Sequence, residues 1–473
     1  MPSNRLCVFG CVTTGVTIHT LPNPEIYPER FRKWVDLTGD ALKDISDEKI
    51  FKSKKVCDKH FLEKHKNRNN RLSALAIPDK HIPGLSTVTA LEETESNMNS
   101  QPKPCTSQQL IAIERVIAVD RALDVHFGDG KSIRFEDCWL RDHCRCLSCY
   151  HPHTFQRAHH ILDIPDVTML SVENDNSKLE VKWSDNHNST YTAEFLSKFD
   201  YKTWKESRRL KPVLWHGEID NKITKVPVEE FLTSVDGAKR VFQSLLDYGV
   251  ALIEGVDASL EATEFVCKAL GGVQHTIFGG MWQFTTRADH ADTAYTNLPL
   301  ATHNDNTYFT EAAGLQILHC LEHTNGTGGE TILVDGFYGA RELKKEFPED
   351  FKFLTTFNVE AEYIEEGHHH TFSAPVIRVD NETQELVQIR FNVYDRAAMA
   401  FGSSEDCRSY YRSLRSLAKY YQDQNNQWRF KLKPGIVMVM DNFRVLHGRT
   451  GFSGCRVLGG SYVARSDWLD KAR

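Results

Sequence analysis

The stretch Thr302-His303-Asn304-Asp305-Asn306-Thr307-Tyr308-Phe309 decides how the rest of the chain is read. Side chains of an extended strand alternate faces, so His303 and Asp305, two residues apart, would project to the same side. An imidazole and a carboxylate entering one cavity need one more histidine to make the facial triad that holds non-haem Fe(II) and leaves coordination positions open. That histidine is available at His447, in Met440-Asp441-Asn442-Phe443-Arg444-Val445-Leu446-His447-Gly448-Arg449. His447 follows the apolar run Ile436-Val437-Met438-Val439-Met440, entered through Lys433-Pro434-Gly435, which is the pattern of a turn leading into a buried strand. Arg456 opens a second such run that ends at Val463. By itself His-x-Asp also fits a surface strand with two polar residues, and it is the strand-borne His447 that favours a metal.

At 473 residues the chain should divide into two or three domains. Hydrophobic residues make up 40%, enough for real cores, and no apolar run reaches the roughly 18 residues that cross a bilayer, so no membrane partner is expected. The opening Met-Pro-Ser-Asn-Arg-Leu-Cys has neither the apolar core of a secretory signal nor the repeated arginines of a transit peptide. Charge is unevenly divided. Residues 1–84 carry 15 Lys and Arg against 10 Asp and Glu, so the −7 of the whole chain leaves −12 for the remainder. A basic module joined to an acidic body points to a polyanionic partner for the N-terminal part. The 12 cysteines are spread over a long chain, and several cluster with histidines, which favours a reducing compartment and metal ligation over disulfides.

In residues 1–84, Cys7-x3-Cys11 and the later Cys57-Asp58-Lys59-His60 make a tetrahedral zinc set, although the wide gap between the pairs also fits unrelated cysteines. Around them lie His19-Thr-Leu-Pro22, Trp34, Phe61 and the closing Ala76-Ile77-Pro78. In order and spacing these residues resemble a THAP-type zinc finger, with Leu21 and Ile77 as mild departures. The resemblance implies a small ββα-type fold that binds DNA through zinc-dependent strands. Between Lys52 and Arg71 eight basic residues face two acidic ones, and Lys52, Lys54, Lys55, Lys64, Lys66 and Arg68 are the expected phosphate contacts. A solvated basic loop without DNA affinity fits the same charges.

Residues 85–108 lose their aromatics to Ser, Thr, Glu, Asn and Pro and are expected to be a disordered linker. A β-rich domain over 109–205 should follow, beginning with strands at 111–119 and 122–127 and a hairpin turn at Gly128-Asp129-Gly130 into 132–135. Then comes Trp139-Leu-Arg-Asp-His143-Cys144-Arg-Cys146-Leu-Ser-Cys149, judged too polar to be buried. With His187 of Trp183-Ser-Asp-Asn-His187, Cys144, Cys146 and Cys149 would close a structural zinc site, while His151, His153, His159 and His160 are taken as loop residues.

Over 225–467, short apolar runs separated by Gly, Pro and Asn turns suggest an all-β double-stranded helix, or jelly roll, with flanking helices. One helix is expected from Ser404 to Gln424, capped by Ser403 or Ser404, with Tyr410, Leu414, Leu417 and Tyr421 on its core face. Gly326-Thr-Gly-Gly329-Glu330-Thr331 reads as a turn into a strand, since it lacks the lysine of a phosphate loop.

The blocks Phe278-Gly-Gly-Met-Trp282, Asp292-Thr-Ala-Tyr295-Thr, Thr302–Phe309, Leu333–Tyr338, Arg390-Phe-Asn-Val-Tyr-Asp-Arg396 and Asp441–Arg449, with the cysteine cluster, resemble the carnitine-pathway dioxygenases over nearly all of 111–467. This is the family of the γ-butyrobetaine and trimethyllysine dioxygenases, and the block at 292–296 resembles the trimethyllysine branch more closely. The resemblance implies Fe(II) on His303, Asp305 and His447, and zinc on Cys144, Cys146, Cys149 and His187. It implies 2-oxoglutarate held by Arg456, O2 as co-substrate, ascorbate as reductant, and an aromatic cage of Trp282, Tyr295 and Tyr462 with Phe278. The implied reaction is hydroxylation of N6,N6,N6-trimethyllysine at C3. A quaternary ammonium offers no N–H, so ring faces must bind it. Asp292 would select the α-ammonium, which γ-butyrobetaine lacks, and Asn392 remains of a polar pair that Val393 interrupts. Three alternatives remain open: a γ-butyrobetaine hydroxylase, an oxygenase acting on chromatin, and a DNA-binding protein with the oxygenase fold as sensor. The resemblance implies the mitochondrial matrix and a possible homodimer, whereas a DNA-binding finger implies the nucleus or cytoplasm.

Overall fold

The run Ile436–Asp441 becomes a central strand of a six-stranded sheet in the computed structural model, which describes residues 7–9, 11, 17–24, 28–38, 42, 45–61, 78, 111–164, 166–285 and 296–473. The reason is burial on both sides. Met438 and Met440 face one core, with Leu252 and Leu318, while Val437 and Val439 face another, with Ile253 and Ile317. A strand covered on both faces reads as a continuous apolar run. The sheet order is Lys225–Pro227, Val250–Glu254, Ile436–Asp441, Leu315–Thr324, Cys455–Val463 and Met281–Phe284, antiparallel except for the first pair.

A second, four-stranded sheet runs Leu300–His303, Val445–Arg449, Thr331–Asp335 and Trp428–Phe430. Its inner residues, Leu333 and Val445, join the core of Met438 and Leu318, so the two sheets enclose one interior. Val334 and Leu446 alternate outward onto the helices Gly336–Glu346, Pro348–Thr356 and Ser404–Gln422. The last of these is the expected helix. Ser403 caps it by accepting from Asp406 N at 3.0 Å, and Tyr410, Leu417 and Tyr421 are buried beneath it.

One buried ion pair ties the sheets to the segment that enters the domain. Arg444 donates from Nε to Asp335 Oδ1 at 3.0 Å and from Nη2 to Asp335 Oδ2 at 2.8 Å, with both side chains almost wholly enclosed. Nη1 and Nη2 also donate to the carbonyls of Asp247 and Val213, and Trp215 N donates to the same carboxylate.

The strands Ile113–Val119, Ala122–Phe127 and Ser132–Glu136 form the expected meander, and Met169–Asn174, Lys178–Trp183 and Asn188–Thr192 form a second three-stranded sheet. Phe127, Phe135, Leu140, Trp183 and Tyr191 share one core between them. The cysteine run is not too polar to bury. Cys144 and Cys149 are enclosed because the polar neighbours lie on aromatic faces: His143 stacks on Trp139 at 4.0 Å, and Arg145 lies over Tyr150 at 4.1 Å.

Chain contacts group Met1–Gln108 apart from Gln109–Arg473. In the first unit Ile18–Thr20 pairs antiparallel with Lys55–Cys57, and the helices Pro28–Asp36 and Asp47–Ser53 lie between them in sequence. The order is therefore strand, helix, helix, strand, which corrects the expected ββα arrangement. Phe31, Trp34, Ile50 and Val56 are its core. The expected linker 85–108 lies outside the described residues.

Replacing Asp335 by Ala leaves the Arg444 charge buried without its counter-ion, which is expected to cost about 3–5 kcal/mol. A lower urea midpoint with an unchanged slope would register it.

Candidate active site and metal centres

His303 and His447 are direct partners across the antiparallel pair formed by Leu300–His303 and Val445–Arg449. Their rings lie 4.4 Å apart. The expected extended run through Asp305 does not form, since the strand ends at His303 and Asp305 sits in a bend just before Asn306, whose φ is +59°. The two side chains still converge, with His303 Nε2 3.4 Å and His447 Nε2 3.6 Å from Asp305 Oδ1.

What bends the chain there is a pair of buried amides. Asn304 donates to the carbonyls of Asn442 and Val445, and Asn442 accepts from Asp305 N at 2.9 Å while donating to the Asp305 carbonyl at 3.0 Å. A side-chain amide that satisfies backbone groups replaces the ladder and turns the chain. The two carboxylate oxygens of Asp305 are divided in use. Tyr462 Oη donates to Oδ2 at 2.7 Å and Gln316 Nε2 donates to it at 2.5 Å, which leaves Oδ1 facing the imidazoles.

Protonation follows from this packing. Burial disfavours the Asp305 carboxylate, but His447, His303 and the Tyr462 hydroxyl outweigh it and hold its pKa at about 2. Burial pushes His447 down to about 4, so its imidazole is neutral near pH 7. Burial opposes the charged form of His303, but the neighbouring Asp305 carboxylate and the Ala301 carbonyl, which accepts from Nδ1 at 2.8 Å, raise its pKa above the ordinary histidine value, so a metal would bind at Nε2 in place of a proton.

The same cavity is lined by Phe278, Trp282, Tyr308, Gln316, Asn392, Asp395, Arg456 and Tyr462. Arg456 is 5% exposed and lies over the Phe452 ring at 5.3 Å. Among the described residues it has no carboxylate partner and its Nε no acceptor, and burial lowers its pKa. A buried guanidinium in that state is a receptor for an anion.

The aromatic residues take unequal parts. Trp282 packs on Tyr462 at 5.4 Å and against Gly460, where a Cβ would lie 2.2 Å from the indole. Phe278 meets Tyr363, which stacks on Tyr308 at 4.8 Å. Tyr462 offers more than a ring face, because its hydroxyl is committed to Asp305. Asn392 lines the cavity, yet its amide donates to Asn304 O and Asp395 Oδ2 and accepts from Tyr394 N, so it shapes the wall. Asp292 and Tyr295 lie outside the described residues.

Two further donor clusters have the geometry of metal sites. Cys144, Cys146 and Cys149 place their sulfurs 3.2, 3.7 and 3.6 Å from His187 Nε2. Asn186, at φ +63°, makes the tight turn that presents His187. Cys7, Cys11, Cys57 and His60 likewise bring one ligand atom each within 4.8 Å of the others. Of the expected DNA contacts, Lys52 pairs with Glu48 at 2.5 Å, Lys55 donates to Thr20, and Lys54 is half-buried beside them. Lys64, Lys66 and Arg68 lie outside the described residues.

Gln316, Asn304 and Asn442 are the functional residues that sequence reasoning missed. Gln316 had a signal, being a lone amide in the apolar run Leu315–Leu318.

Three family models match successive parts of the chain: THAP domain over residues 6–81, gamma-butyrobetaine hydroxylase-like N-terminal over 115–197, and taurine catabolism dioxygenase TauD, TfdA family, over 208–462. The chain is 39% identical over 351 residues to the mitochondrial trimethyllysine dioxygenase of Rattus norvegicus, covering 72% of this chain and 82% of that one. It is 32% identical to the trimethyllysine dioxygenase of Meyerozyma guilliermondii, covering 74% and 92%. Against the gamma-butyrobetaine dioxygenase of Pongo abelii identity falls to 25%, covering 77% and 95%, which sets the chain nearer the former pair.

Tyr462→Phe keeps the ring and removes the donor to Asp305 Oδ2. Loss of such an outer-shell hydrogen bond is expected to weaken divalent-metal binding roughly 10- to 100-fold, measured by Mn(II) titration of the full chain.

Proposed function

The chain belongs to the TauD/TfdA dioxygenase family and, within it, to the trimethyllysine dioxygenases, and from that membership and the cavity's geometry we infer that it hydroxylates N6,N6,N6-trimethyllysine at C3. The observation that carries this reading is one cavity holding two imidazole Nε2 atoms, one carboxylate oxygen and an unpaired buried guanidinium. The two facing sheets are read as the double-stranded β-helix of that family.

The donor set fits Fe(II), since two imidazole nitrogens and one carboxylate oxygen on one side leave positions open. His303, Asp305 and His447 would hold it, and Arg456 would hold the far carboxylate of 2-oxoglutarate through its planar fork. Bound there, iron and 2-oxoglutarate supply the oxidation by O2 that places a hydroxyl on C3 and releases succinate and CO2, with ascorbate as an accessory reductant. The chain's own residues bind and aim. Tyr462 and Gln316 hold Asp305 Oδ2 away from the metal side, and the Ala301 carbonyl fixes the His303 tautomer. Leu318 and Leu458 exclude water from the interior wall, and the rings of Trp282 and Phe278 offer faces to the quaternary ammonium.

Zinc is proposed on Cys144, Cys146, Cys149 and His187, where it would brace the β-rich domain, and on Cys7, Cys11, Cys57 and His60 of the finger. The THAP match supports a second role for the N-terminal unit in binding DNA, with Lys52, Lys54, Lys55, Lys64, Lys66 and Arg68 on phosphates.

The test is succinate formation by the full chain with Fe(II), ascorbate and 2-oxoglutarate, offering trimethyllysine and γ-butyrobetaine separately. Turnover is expected with trimethyllysine and should vanish in His303→Ala. Arg456→Ala should raise the KM for 2-oxoglutarate on the order of 10-fold or more, the worth of a charged hydrogen bond. No turnover with either substrate from a folded, iron-loaded chain would sink the reading. Cys57→Ala and Cys149→Ala should each lower the zinc content by about one equivalent, read by atomic absorption.

A further inference from the structure

Arg456 is open to a ligand's anion only if no carboxylate of its own fold reaches it, and the neighbouring strand is built to prevent that. Strand Leu315–Thr324 pairs with Cys455–Val463 in regular alternation as far as Cys320, with Gln316 opposite Tyr462, Leu318 opposite Gly460 and Cys320 opposite Leu458. Gln316, Leu318, Leu458 and Tyr462 line the cavity, so they mark its face of the sheet. Had the alternation run on, Glu322 would stand opposite Arg456 on that face. A β-bulge intervenes at Leu321, and Glu322 falls opposite Val457 while His323 falls opposite Arg456. The extra residue of a bulge reverses the parity of those beyond it and re-aims their side chains. Leu321 itself lies on the outer face, where a Cβ on Gly459 would be 3.0 Å from its Cδ1. Glu322 is exposed, with Thr324 Oγ1 donating to its carboxylate at 2.9 Å, whereas His323 is half-buried.

What the bulge brings to the guanidinium is therefore an imidazole. Gly329, at φ +69°, lies where the two meet: a Cβ there would be 3.2 Å from His323 Cε1 and 3.4 Å from Arg456 Cδ. Both side chains share Phe452, with the guanidinium over its ring at 5.3 Å and the imidazole edge-on at 6.4 Å. Both ring nitrogens of His323 are enclosed and have no hydrogen-bond partner among the described residues. Burial, with Lys431 and Arg456 nearby, lowers the pKa of this histidine, so the ring is uncharged near pH 7. Burial raises that of the Cys320 thiol, which stays protonated beside the same guanidinium. A carboxylate in place of the imidazole would pair with Arg456 and compete with any ligand for it.

We propose that the bulge at Leu321 keeps Arg456 open to a ligand carboxylate, with His323 as the positioning residue that takes the place alternation would give to Glu322. The inference rests on the reading of Arg456 as the receptor for the far carboxylate of 2-oxoglutarate and deepens it.

Exchanging the two residues, Glu322→His with His323→Glu, moves one carboxylate across the strand and leaves composition and net charge unchanged. Calorimetric titration of the Mn(II)-loaded full chain with 2-oxoglutarate, and with 2-oxopentanoate, which lacks the far carboxylate, reads Arg456 apart from the metal. The exchange should weaken 2-oxoglutarate roughly 10- to 100-fold and leave 2-oxopentanoate within about threefold. The unliganded exchanged chain should melt no lower than the wild type, because its cation is now paired, and the rise in Tm on adding 2-oxoglutarate should largely vanish. His323→Glu alone should weaken 2-oxoglutarate likewise, which keeps the test available if the exchanged chain does not fold. His323→Gln, which brings no charge, should bind 2-oxoglutarate within about threefold of the wild type. Unchanged 2-oxoglutarate affinity in the carboxylate-bearing variants, equal weakening of both oxo acids, or as large a loss in His323→Gln would overturn the assignment. A wild-type chain that binds 2-oxoglutarate no more tightly than 2-oxopentanoate would instead strike the reading of Arg456 itself.

Discussion

The site depends on the antiparallel pairing of residue 303 with residue 447. Strand Val445–Arg449 lies between two partners, with His303 opposite His447 on one side and Leu333 opposite it on the other. Side chains in a strand alternate, so a slip of one residue would turn His447 out of the cavity. Two features oppose such a slip. Gly448 lets the strands close up where a Cβ would lie 2.6 Å from the Leu300 carbonyl, and the Arg444–Asp335 pair pins the end of the strand to its neighbour. Register, more than any single ligand, is therefore what a metal at this place requires.

Around that pairing the protein keeps several charges away from water, and each is balanced differently. Arg444 donates four hydrogen bonds, two of them to the Asp335 carboxylate, and Arg390 satisfies itself on the carbonyls of Ala374, Thr307 and Phe372, which joins a hairpin to the loop bearing Tyr308. Asp305 is balanced by hydrogen bonds on one oxygen and by imidazoles on the other. Arg456 alone of these has neither a carboxylate nor a carbonyl acceptor among the described residues. A fold that holds a desolvated cation open in this way is stabilised by whatever anion fills the place, so ligand binding and stability should be linked.

All three donor clusters were legible, the two thiol sets because their ligands lie close in sequence or fall into recognised pairs, and His303, Asp305 and His447 because a His-x-Asp is followed by a histidine on a later buried strand. Cys144, Cys146 and Cys149 need only a turn to converge, and three thiols at so short a spacing form a chelate that suits a soft-to-borderline metal ion. The helix at Ser404–Gln422 was equally plain from its cap and its 3.6-residue period. The bend after His303 was not, because Asn304 and Asn442 act through backbone groups far away in sequence, and an amide carries no periodicity to betray that. Tyr462 illustrates the same limit: its ring suggested a cage, while its hydroxyl serves Asp305.

The sequence by itself determined which donor groups the chain can offer: two histidines with an aspartate, two sets of thiols with a histidine, an arginine able to meet an anion, and apolar runs enough to bury them. Residue type and local period suffice for that, since both act over a few neighbours. Only the tertiary structure decided which oxygen of Asp305 faces the imidazoles, that Asn392 serves the wall, and that His323 stands beside Arg456. Those outcomes depend on hydrogen bonds between strands and loops distant in the chain, whose partners are chosen by packing.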